Sequence, residues 1–188
     1  MRIVGGSLRG LRLAEVETGG IRPTADRTRE GLFNILAHNA EFEGPDGPAP
    51  EGLDVLDVFA GTGALGLEAL SRGAASVAFM ENDPAARKIL DANIRHAGAG
   101  HAARVLNADA TKPGPARGDF GLVLMDPPYR QELAAVALAA LERNGWLTAD
   151  ALIAVETDRK EAFEIPAGFS PVDQRTYGRA RLHFLRRG

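Results

Sequence analysis

Leu53-Asp-Val-Leu-Asp-Val-Phe-Ala-Gly-Thr-Gly63 is the stretch of sequence that decides the fold. Leu53–Val58 is an apolar run of strand length, and residues 59–63, the glycine turn, contain two glycines that permit a tight connection. Residues 64–72 follow as a helix that ends at Gly73, a suitable residue just after a helix terminus. A strand that enters a helix through such a turn is the repeating unit of parallel α/β sheets.

Strand and helix signals alternate along the rest of the chain. Asp83-Pro84 combines an N-cap residue with proline at the first helical position, and it predicts a helix to about Ala97. Residues 131–143 are amphipathic and predict another helix. The further predicted strands are 77–80, 105–106, 121–125, 152–155 and 181–185. This alternation with short connections predicts a mainly parallel, doubly wound sheet.

The first fifty residues predict a small appendage in front of this body. Residues 2–13 have short β-compatible runs around glycines and predict a hairpin, and residues 24–36 predict a helix with Thr24 or Asp26 as its cap. Residues 40–52 hold three prolines and three glycines and predict a loop. The expected division is an appendage over residues 1–39, a loop over 40–52 and a catalytic domain over 53–188.

Composition limits the class of protein. The chain has 188 residues, 45% hydrophobic and 25% charged, as expected for one main soluble domain. Its apolar runs are of strand length and interrupted, and its start lacks an apolar signal core, so we expect no membrane span and a cytoplasmic location. The four histidines lack metal-ligand spacing, so we expect no metal site. We also expect a monomer.

The absence of cysteine from the sequence bears on the chemistry. It excludes disulfides, cysteine zinc sites and a cysteine nucleophile. Methylation of a ring carbon of a base generally needs a covalent adduct, whereas a nitrogen already carries an electron pair. If the protein methylates a base, the missing thiol favours a nitrogen target.

Charge is distributed unevenly along the chain. The net charge is −3, yet residues 1–30 carry six Arg against four acids, and residues 175–188 carry five Arg and no acid. Residues 31–174 therefore sum to −10. Two interpretations stay open: the basic ends bind a phosphate backbone, or they are solubilising segments.

The glycine turn predicts a ligand site, because glycines let the backbone approach a ligand and the following helix offers unpaired N–H groups. Asp57 closes the strand just before the turn. A dinucleotide diphosphate would be repelled by that acid, whereas an ammonium or sulfonium group would be attracted. A dehydrogenase is therefore the weaker interpretation, and a plain strand–helix connection remains an alternative.

Two further acids follow the next two predicted strands. Glu81 can accept hydrogen bonds from ribose hydroxyls, and Asp109 can accept from an adenine amino group while the Ala110 N–H donates to the ring. Glu81 could instead cap the next helix, in competition with Asp83, and Asp109 could be a surface turn acid. Together with Asp57 they place acids at the carboxyl ends of three successive strands, the edge where open parallel sheets bind ligands.

Asp126-Pro-Pro-Tyr129 ends the fourth predicted strand at the same edge. The two prolines restrict the backbone, so the Asp126 carboxylate and a nearby carbonyl would be held in place as a pair of acceptors. Such a pair, pulling on the two N–H groups of an exocyclic amine, directs its lone pair toward a methyl donor, and Tyr129 would stack on the base. The alternative is a proline-rich turn whose Tyr packs in the core.

Several of these segments together resemble the RsmD-type methyltransferases, which modify a guanine N2 in 16S ribosomal RNA of the small subunit. The resemblance covers nearly the whole chain. It is carried by Arg2–Gly6, Arg22–Asn34, Leu56–Arg72, Asp126–Tyr129 and Tyr177-Gly178. Two departures are visible: Gly31 stands where the family commonly has alanine, and the loop over residues 40–52 is longer than usual.

The resemblance implies a seven-stranded, Rossmann-like class I methyltransferase sheet, S-adenosylmethionine as cofactor and S-adenosylhomocysteine as product. It implies that Arg-rich N-terminal elements contact RNA, either free 16S rRNA or the small-subunit particle. The catalytic residues it implies are Asp126, Pro127, Pro128 and Tyr129. The cofactor-binding residues it implies are Arg22, Thr24, Asp57, Phe59, Gly61, Gly63, Glu81, Asn82, Asp109, Ala110 and Asp126. A DNA adenine-N6 or cytosine-N4 methyltransferase is the alternative, since the same tetrapeptide serves those amines.

Overall fold

One mixed sheet organises the chain. A computed structural model describes residues 1–15, 23–44, 46–128 and 133–188, without the side chains of residues 23–25. Its strands are β1 (Asp54–Val58), β2 (Ser76–Met80), β3 (Ala103–Leu106), β4 (Phe120–Met125), β5 (Leu147–Asp158), β6 (Phe169–Tyr177) and β7 (Ala180–Arg187). Their spatial order is β3-β2-β1-β4-β5-β7-β6, and β7 runs antiparallel to its two neighbours.

Helices cover both faces of the sheet. The described helices are α1 (Pro23–His38), α2 (Ala64–Ser71), α3 (Pro84–His96) and α4 (Leu133–Arg143), with a short 3-10 helix at Ala40–Phe42. Leu67 of α2 and Leu90 of α3 pack with Val55 on one face, whereas Leu138 of α4 packs with Leu56 on the other. The central strands are buried on both faces, which explains their near-continuous apolar sequences. No helix in the described ranges is long and apolar enough to cross a bilayer.

The predicted hairpin is present as an N-terminal arm, residues 1–15. Its antiparallel pairing consists of one bridge, Arg2 with Arg12, and of hydrogen bonds such as that from the Ile3 N–H to the Leu11 carbonyl at 2.9 Å. Ile3 is buried in the same cluster as Phe33 of α1 and residues of the sheet. The division into an appendage, a loop and a catalytic domain stays a prediction.

Buried polar side chains of α2 hold the arm. Glu68 is fully buried, and its two carboxylate oxygens accept the N–H groups of Val4 and Gly5, each at 2.8 Å. Arg29 and Arg72 flank the same carboxylate at 3.5 and 2.9 Å. A buried carboxylate is tolerated only when paired and hydrogen-bonded, so this set of contacts also fixes the arm against the sheet.

The predicted fold class is confirmed, including the doubly wound, mainly parallel sheet of seven strands. Asp83 caps α3 through the Ala86 N–H at 2.7 Å, and Gly73 follows α2 with a φ of 94°, both as predicted. The expected cap of α1 is wrong, because the helix begins at Pro23 and Asp26 lies inside its first turn. Asp26 instead accepts a hydrogen bond from Arg29 at 2.9 Å.

Two parts of the sheet differ from the prediction. β6 was not predicted, since this edge strand is mostly exposed, contains Pro171 and lacks an apolar alternation. β5 runs over twelve residues rather than the four predicted. The predicted loop over 40–52 includes the short 3-10 helix, and its Phe42 is buried and stacks on Phe184 with ring centroids 5.2 Å apart.

Candidate active site at the carboxyl edge of the sheet

Asp57 is the buried acid of the site. It lies at the end of β1, and its Oδ2 accepts the Gly66 N–H of α2 at 2.8 Å. Burial raises the pKa of Asp57 well above its usual value, the Gly66 hydrogen bond opposes the rise, and the negative charges of Asp126 and Glu81 add to it. Three acids that are far apart in sequence therefore interact at the edge where the parallel strands end, here called the carboxyl edge.

The glycine turn connects Asp57 to α2 through left-handed backbone. Phe59, Gly61 and Gly63 have φ angles of 62°, 54° and 83°. A Cβ on Gly63 would lie 2.4 Å from Leu90 Cδ1, so a side chain there would collide with α3. Phe59 adopts a conformation that is costly for a bulky residue, of about 1–3 kcal/mol, and such strain is concentrated at functional sites.

Gly61 leaves the turn open. A Cβ on this residue would meet only the Phe59 carbonyl oxygen, at 3.9 Å. The backbone of the turn is therefore accessible to a ligand at this position, unlike at Gly63. Both glycines are predicted site residues, and the structure gives them different tasks: Gly61 borders open space and Gly63 permits close packing.

Glu81 ties the glycine turn to the end of β2. Its Oε2 accepts the Gly61 N–H and its Oε1 accepts the Asp83 N–H, each at 2.8 Å. Glu81 therefore does not cap α3, a role that Asp83 fills. Each carboxylate oxygen of Glu81 has a second lone pair through which a ligand hydroxyl could donate.

Sequence reasoning did not predict a role for Arg87, although this residue joins the ends of two strands at this edge. Its Nη1 donates to the carbonyl oxygens of Glu81 and Asn82 at 3.3 and 2.9 Å, and to Asn107 Oδ1 at 2.5 Å. Asn82 is exposed beside it. The position of Arg87 in the first turn of the helix after Glu81 is the signal that could have indicated this contact.

Asp109 and Ala110 follow β3. Asp109 is exposed, and its Oδ1 accepts both the N–H and the hydroxyl of Thr111 at 2.8 Å, which lowers the pKa of this acid. Ala110 is buried. Asp109 thus forms the side-chain turn that the alternative interpretation expected. Both lone pairs of Oδ1 are used by Thr111, so within the described residues Oδ2 is the oxygen left to accept from a ligand.

Asp126 follows β4 directly and is exposed, with Pro127 buried and Pro128 exposed behind it. Its charge acts on Asp57, so the tetrapeptide begins at the carboxyl edge. Tyr129 and Arg22 lie outside the described residues, as does the side chain of Thr24, whose backbone belongs to α1.

Asn93 is a second residue that sequence reasoning missed. It is buried on α3 and donates to the Thr62 carbonyl of the glycine turn at 2.8 Å. It also exchanges two hydrogen bonds with the backbone of Ala14, at 2.8 and 3.1 Å. The signal was an amide on the apolar face of an amphipathic helix, between Leu90 and Ile94.

Other polar and aromatic residues lie away from these contacts. Trp146 is fully buried, and its indole N–H donates to the Gly114 carbonyl at 2.9 Å. Burial lowers the pKa of His183 to about 4, helped by the charge of Arg181. Across the ranges that the structure describes, no group of three His, Cys, Asp or Glu side chains could hold a metal ion.

An open cavity of about 320 Å³ lies at the opposite edge of the sheet. It is bordered by Asp54 and Ser76 at the starts of β1 and β2, and by Arg104 and Arg117. None of the predicted site residues that the structure describes lines it. Geometry and chemistry therefore favour the carboxyl edge over this cavity as the active site.

Comparisons with known proteins identify the family. The family model described as conserved hypothetical protein 95 matches residues 1–186. Ribosomal RNA small subunit methyltransferase D of Escherichia coli K12 is 39% identical over 189 residues, which cover 100% of this chain and 90% of that protein. Its Haemophilus influenzae counterpart is 35% identical over 182 residues, covering 95% and 89%.

A solved structure gives the same result. The Escherichia coli protein yhhF, a proposed methyltransferase, superposes with a TM-score of 0.82 at 39% identity, covering 100% of this chain and 97% of that one. The seven-stranded sheet with helices on both faces is a methyltransferase fold. The protein is therefore a methyltransferase, and the chain belongs to the family of the ribosomal RNA small subunit methyltransferase D proteins.

Proposed function

We propose that this protein transfers a methyl group from S-adenosylmethionine to the exocyclic N2 of a guanine in 16S ribosomal RNA of the small subunit. The names of the relatives support the ribosomal RNA substrate. The observation that carries the chemistry is the register of the sheet: β1 lies between β2 and β4, so Asp57, Glu81 and Asp126, at or just after the ends of these strands, bring the glycine turn and the start of the Asp-Pro-Pro-Tyr motif to one edge.

The residues of the carboxyl edge suit S-adenosylmethionine. When bound, the cofactor supplies a methyl carbon activated by a positively charged sulfur. A buried carboxylate at Asp57 would oppose a diphosphate but favours a cationic ligand, and Gly61 leaves the backbone accessible beside it. Glu81 would accept the ribose hydroxyls, and Asp109 with Ala110 would hold the adenine ring.

The remaining proposed cofactor contacts come from Phe59, Asn82, Arg22 and Thr24. Phe59 lies in the glycine turn and Asn82 follows the end of β2. At these positions they can border the nucleoside. Arg22 and Thr24 stand next to the start of α1 in the sequence, and the family resemblance assigns them to the methionine end of the cofactor. We assign all four to binding rather than to chemistry.

The target amine would be activated by the acceptors of residues 126–129. The lone pair of an aromatic amine is delocalised into its ring, which makes the nitrogen a weak nucleophile. Hydrogen bonds from its two N–H groups to the Asp126 carboxylate and a neighbouring carbonyl direct that lone pair toward the methyl group. The N–C bond forms as the C–S bond breaks, and one proton leaves the nitrogen toward Asp126. Tyr129 would stack on the guanine.

The same assignment implies the roles of the chain segments, the oligomeric state and the cellular location. We propose that residues 1–39 contact the RNA and residues 53–188 carry the catalysis, with residues 40–52 between them. The protein would act as a monomer without a metal ion, and its ribosomal substrate would place it in the cytoplasm.

The substrate is tested with radiolabelled S-adenosylmethionine and three acceptors: 16S rRNA and small-subunit particles from a strain that lacks this activity, and duplex DNA. We expect label in one of the two ribosomal substrates, on a single guanine that mapping then locates. Label in DNA alone would replace the proposal by the DNA methyltransferase alternative.

The role of Asp126 is tested with Asp126→Ala. We expect the methylation rate to fall by about 10²–10⁴-fold, while cofactor affinity measured by calorimetry changes little. The exposed acid Asp91 on α3 makes a matched control, and Asp91→Ala should keep the full rate. A rate unchanged in Asp126→Ala would remove this residue from the chemistry.

A further inference from the structure

Asn93 makes contacts that the reaction proposed above does not use. Its side chain is 1% exposed. Both of its N–H donors are taken, by the Thr62 carbonyl at 2.8 Å and the Ala14 carbonyl at 3.1 Å, and its oxygen accepts the Ala14 N–H at 2.8 Å. Hydrogen bonds to backbone groups 31 and 79 residues away do not stabilise a helix locally. They join separate parts of the fold.

One of the two parts joined by Asn93 contains proposed ligand contacts, and the other precedes two of them in the sequence. Thr62 lies between Gly61 and Gly63 in the glycine turn. Ala14 lies near the end of the N-terminal arm, which leads toward the proposed cofactor residues Arg22 and Thr24. The packing of Leu90 against Gly63 gives α3 a second contact with the turn, one helical turn before Asn93.

We propose that Asn93 is a positioning residue that couples the arm to the glycine turn, so that cofactor binding and ordering of the arm favour each other. The inference rests on the proposed function for the identity of the cofactor. Without the amide, the Thr62 carbonyl and the Ala14 backbone lose their hydrogen bonds to Asn93, and water that replaces these bonds at the exposed Ala14 does not join the arm to the turn. The turn and the arm are then held together less tightly, by contacts such as the weak hydrogen bond from the Thr62 hydroxyl to Met1 Sδ at 4.0 Å. Because coupling is reciprocal, the loss must appear at both ends.

Ser71 supplies a matched control. It is buried on α2, donates to the Gly5 carbonyl at 2.5 Å and accepts the Leu8 N–H at 2.9 Å. It therefore fixes the same arm at its other end, and within the described part of the chain its side chain makes no hydrogen bond to the glycine turn. Ser71→Ala should cost stability much as Asn93→Ala does, but it leaves the link between Ala14 and Thr62 intact.

Two measurements separate a positioning role from a merely structural one. The first is the dissociation constant of S-adenosylmethionine, measured by calorimetry at a temperature where each variant is folded. We expect about tenfold weaker binding in Asn93→Ala and a change within about twofold in Ser71→Ala. The KM for the cofactor should rise in parallel, while kcat at saturating cofactor stays within about threefold.

The second measurement is hydrogen exchange of the arm with and without cofactor. In the wild-type protein and in Ser71→Ala, the cofactor should slow exchange around Ala14, whereas in Asn93→Ala it should not. If Asn93→Ala does not fold, Asn93→Asp keeps the size of the side chain and the acceptor for the Ala14 N–H. Ionised, it lacks both donors, and it should show the same two losses.

The outcomes distinguish the two proposals. Cofactor-dependent protection of the arm that persists in both Asn93 variants, or an affinity equal to that of Ser71→Ala, would overturn the coupling alone. A wild-type protein that does not bind S-adenosylmethionine would overturn the proposed function, and the coupling with it.

Discussion

The buried carboxylate of Asp57 is expected to lower the stability of the folded protein and, at the same time, to favour binding of a cationic ligand. Its pKa is raised by burial, so the folded state holds this proton more tightly than the unfolded chain does. Stability from this group is present below the ordinary pKa of an aspartate, about 3.9, and is lost as pH rises toward the folded-state pKa. At neutral pH this carboxyl therefore lowers the stability of the folded state, a cost that a cationic ligand beside it would reduce.

We accordingly expect Asp57→Asn to melt higher than the wild-type protein at pH 8, since an amide can still accept the Gly66 N–H without a buried charge. Each kcal/mol corresponds to about 2–4 °C for a chain of this size. The gain should shrink as pH falls toward 4. Thermal melts at a series of pH values measure this gain in melting temperature. Calorimetry should show weaker cofactor binding in the same variant.

Asp54 provides the control for this prediction, because it lies at the exposed start of the same strand and accepts a hydrogen bond from Ser76 at 2.5 Å. Asp54→Asn should not raise the melting temperature at pH 8 and should leave cofactor affinity unchanged. A lower melting temperature for Asp57→Asn at pH 8 would contradict the assigned cost of burying this charge.

Which residues could be predicted depends on where their partners lie. Asp57, Gly61, Glu81 and Asp126 follow strands, and the topology of a parallel sheet alone brings the ends of its strands together. Asn93 bonds backbone groups that are remote in sequence, in a pairing that no local pattern encodes. A residue whose function depends on the tertiary course of the arm was therefore beyond sequence reasoning, although its unusual place on an apolar face was visible.

At the scale of elements, α1 and β6 meet at Gly31. A Cβ on Gly31 would lie 2.5 Å from Tyr177 Cζ and 2.8 Å from its hydroxyl. The glycine thus lets the aromatic ring lie directly on the helix, which gives a physical meaning to the departure from the alanine that is common in the family. Alanine has the higher helix propensity, by about 1 kcal/mol, so the two effects oppose each other.

A double-mutant cycle measures how far the space taken by the Tyr177 ring offsets the gain in helix propensity at residue 31. Gly31→Ala should stabilise the protein by about 1 kcal/mol in a Tyr177→Ala background, where the space is free. With Tyr177 present the gain should be smaller, because the ring must move away from the helix. Urea denaturation of the four proteins gives the coupling, and an equal gain in both backgrounds would mean that the ring does not rest on Gly31.

A strand could be predicted from the sequence when both of its faces are buried. β1, β2 and β4 read as apolar runs because helices cover them on each side. β6 has exposed residues along most of its length and pairs only with β7, so its sequence carries no such pattern. Its strand form is imposed by pairing with β7, a long-range interaction that propensity does not report.

At the scale of the whole molecule, the two basic ends of the chain behave differently. At the C-terminal end, Arg187 pairs with Glu142 at 2.8 Å and donates to the Leu147 and Thr148 carbonyls. Arg186 likewise donates to the Asp150 and Glu41 carbonyls. Part of this charge is therefore used within the fold, a role that neither interpretation of the sequence included.

The N-terminal arm instead presents its charge outward. Arg2, Arg9 and Arg12 are exposed, and Arg2 faces Arg12 across the bridge of the arm, a like-charge pairing that costs stability unless an anion lies nearby. RNA phosphates would be such anions. A protein with a net charge of −3 can bind RNA only through local patches of this kind.

We therefore expect Arg9→Ala and Arg12→Ala to weaken RNA binding and each to reduce the slope of log affinity against log salt by about 1. Arg187→Gln should leave that slope unchanged and lower the melting temperature instead, because it removes contacts inside the fold. Filter binding across a salt series, with melts of the same proteins, makes the comparison. A slope that falls with Arg187→Gln but not with the arm variants would move the RNA surface from the arm to the C-terminal end, and the proposed role of residues 1–39 would then be wrong.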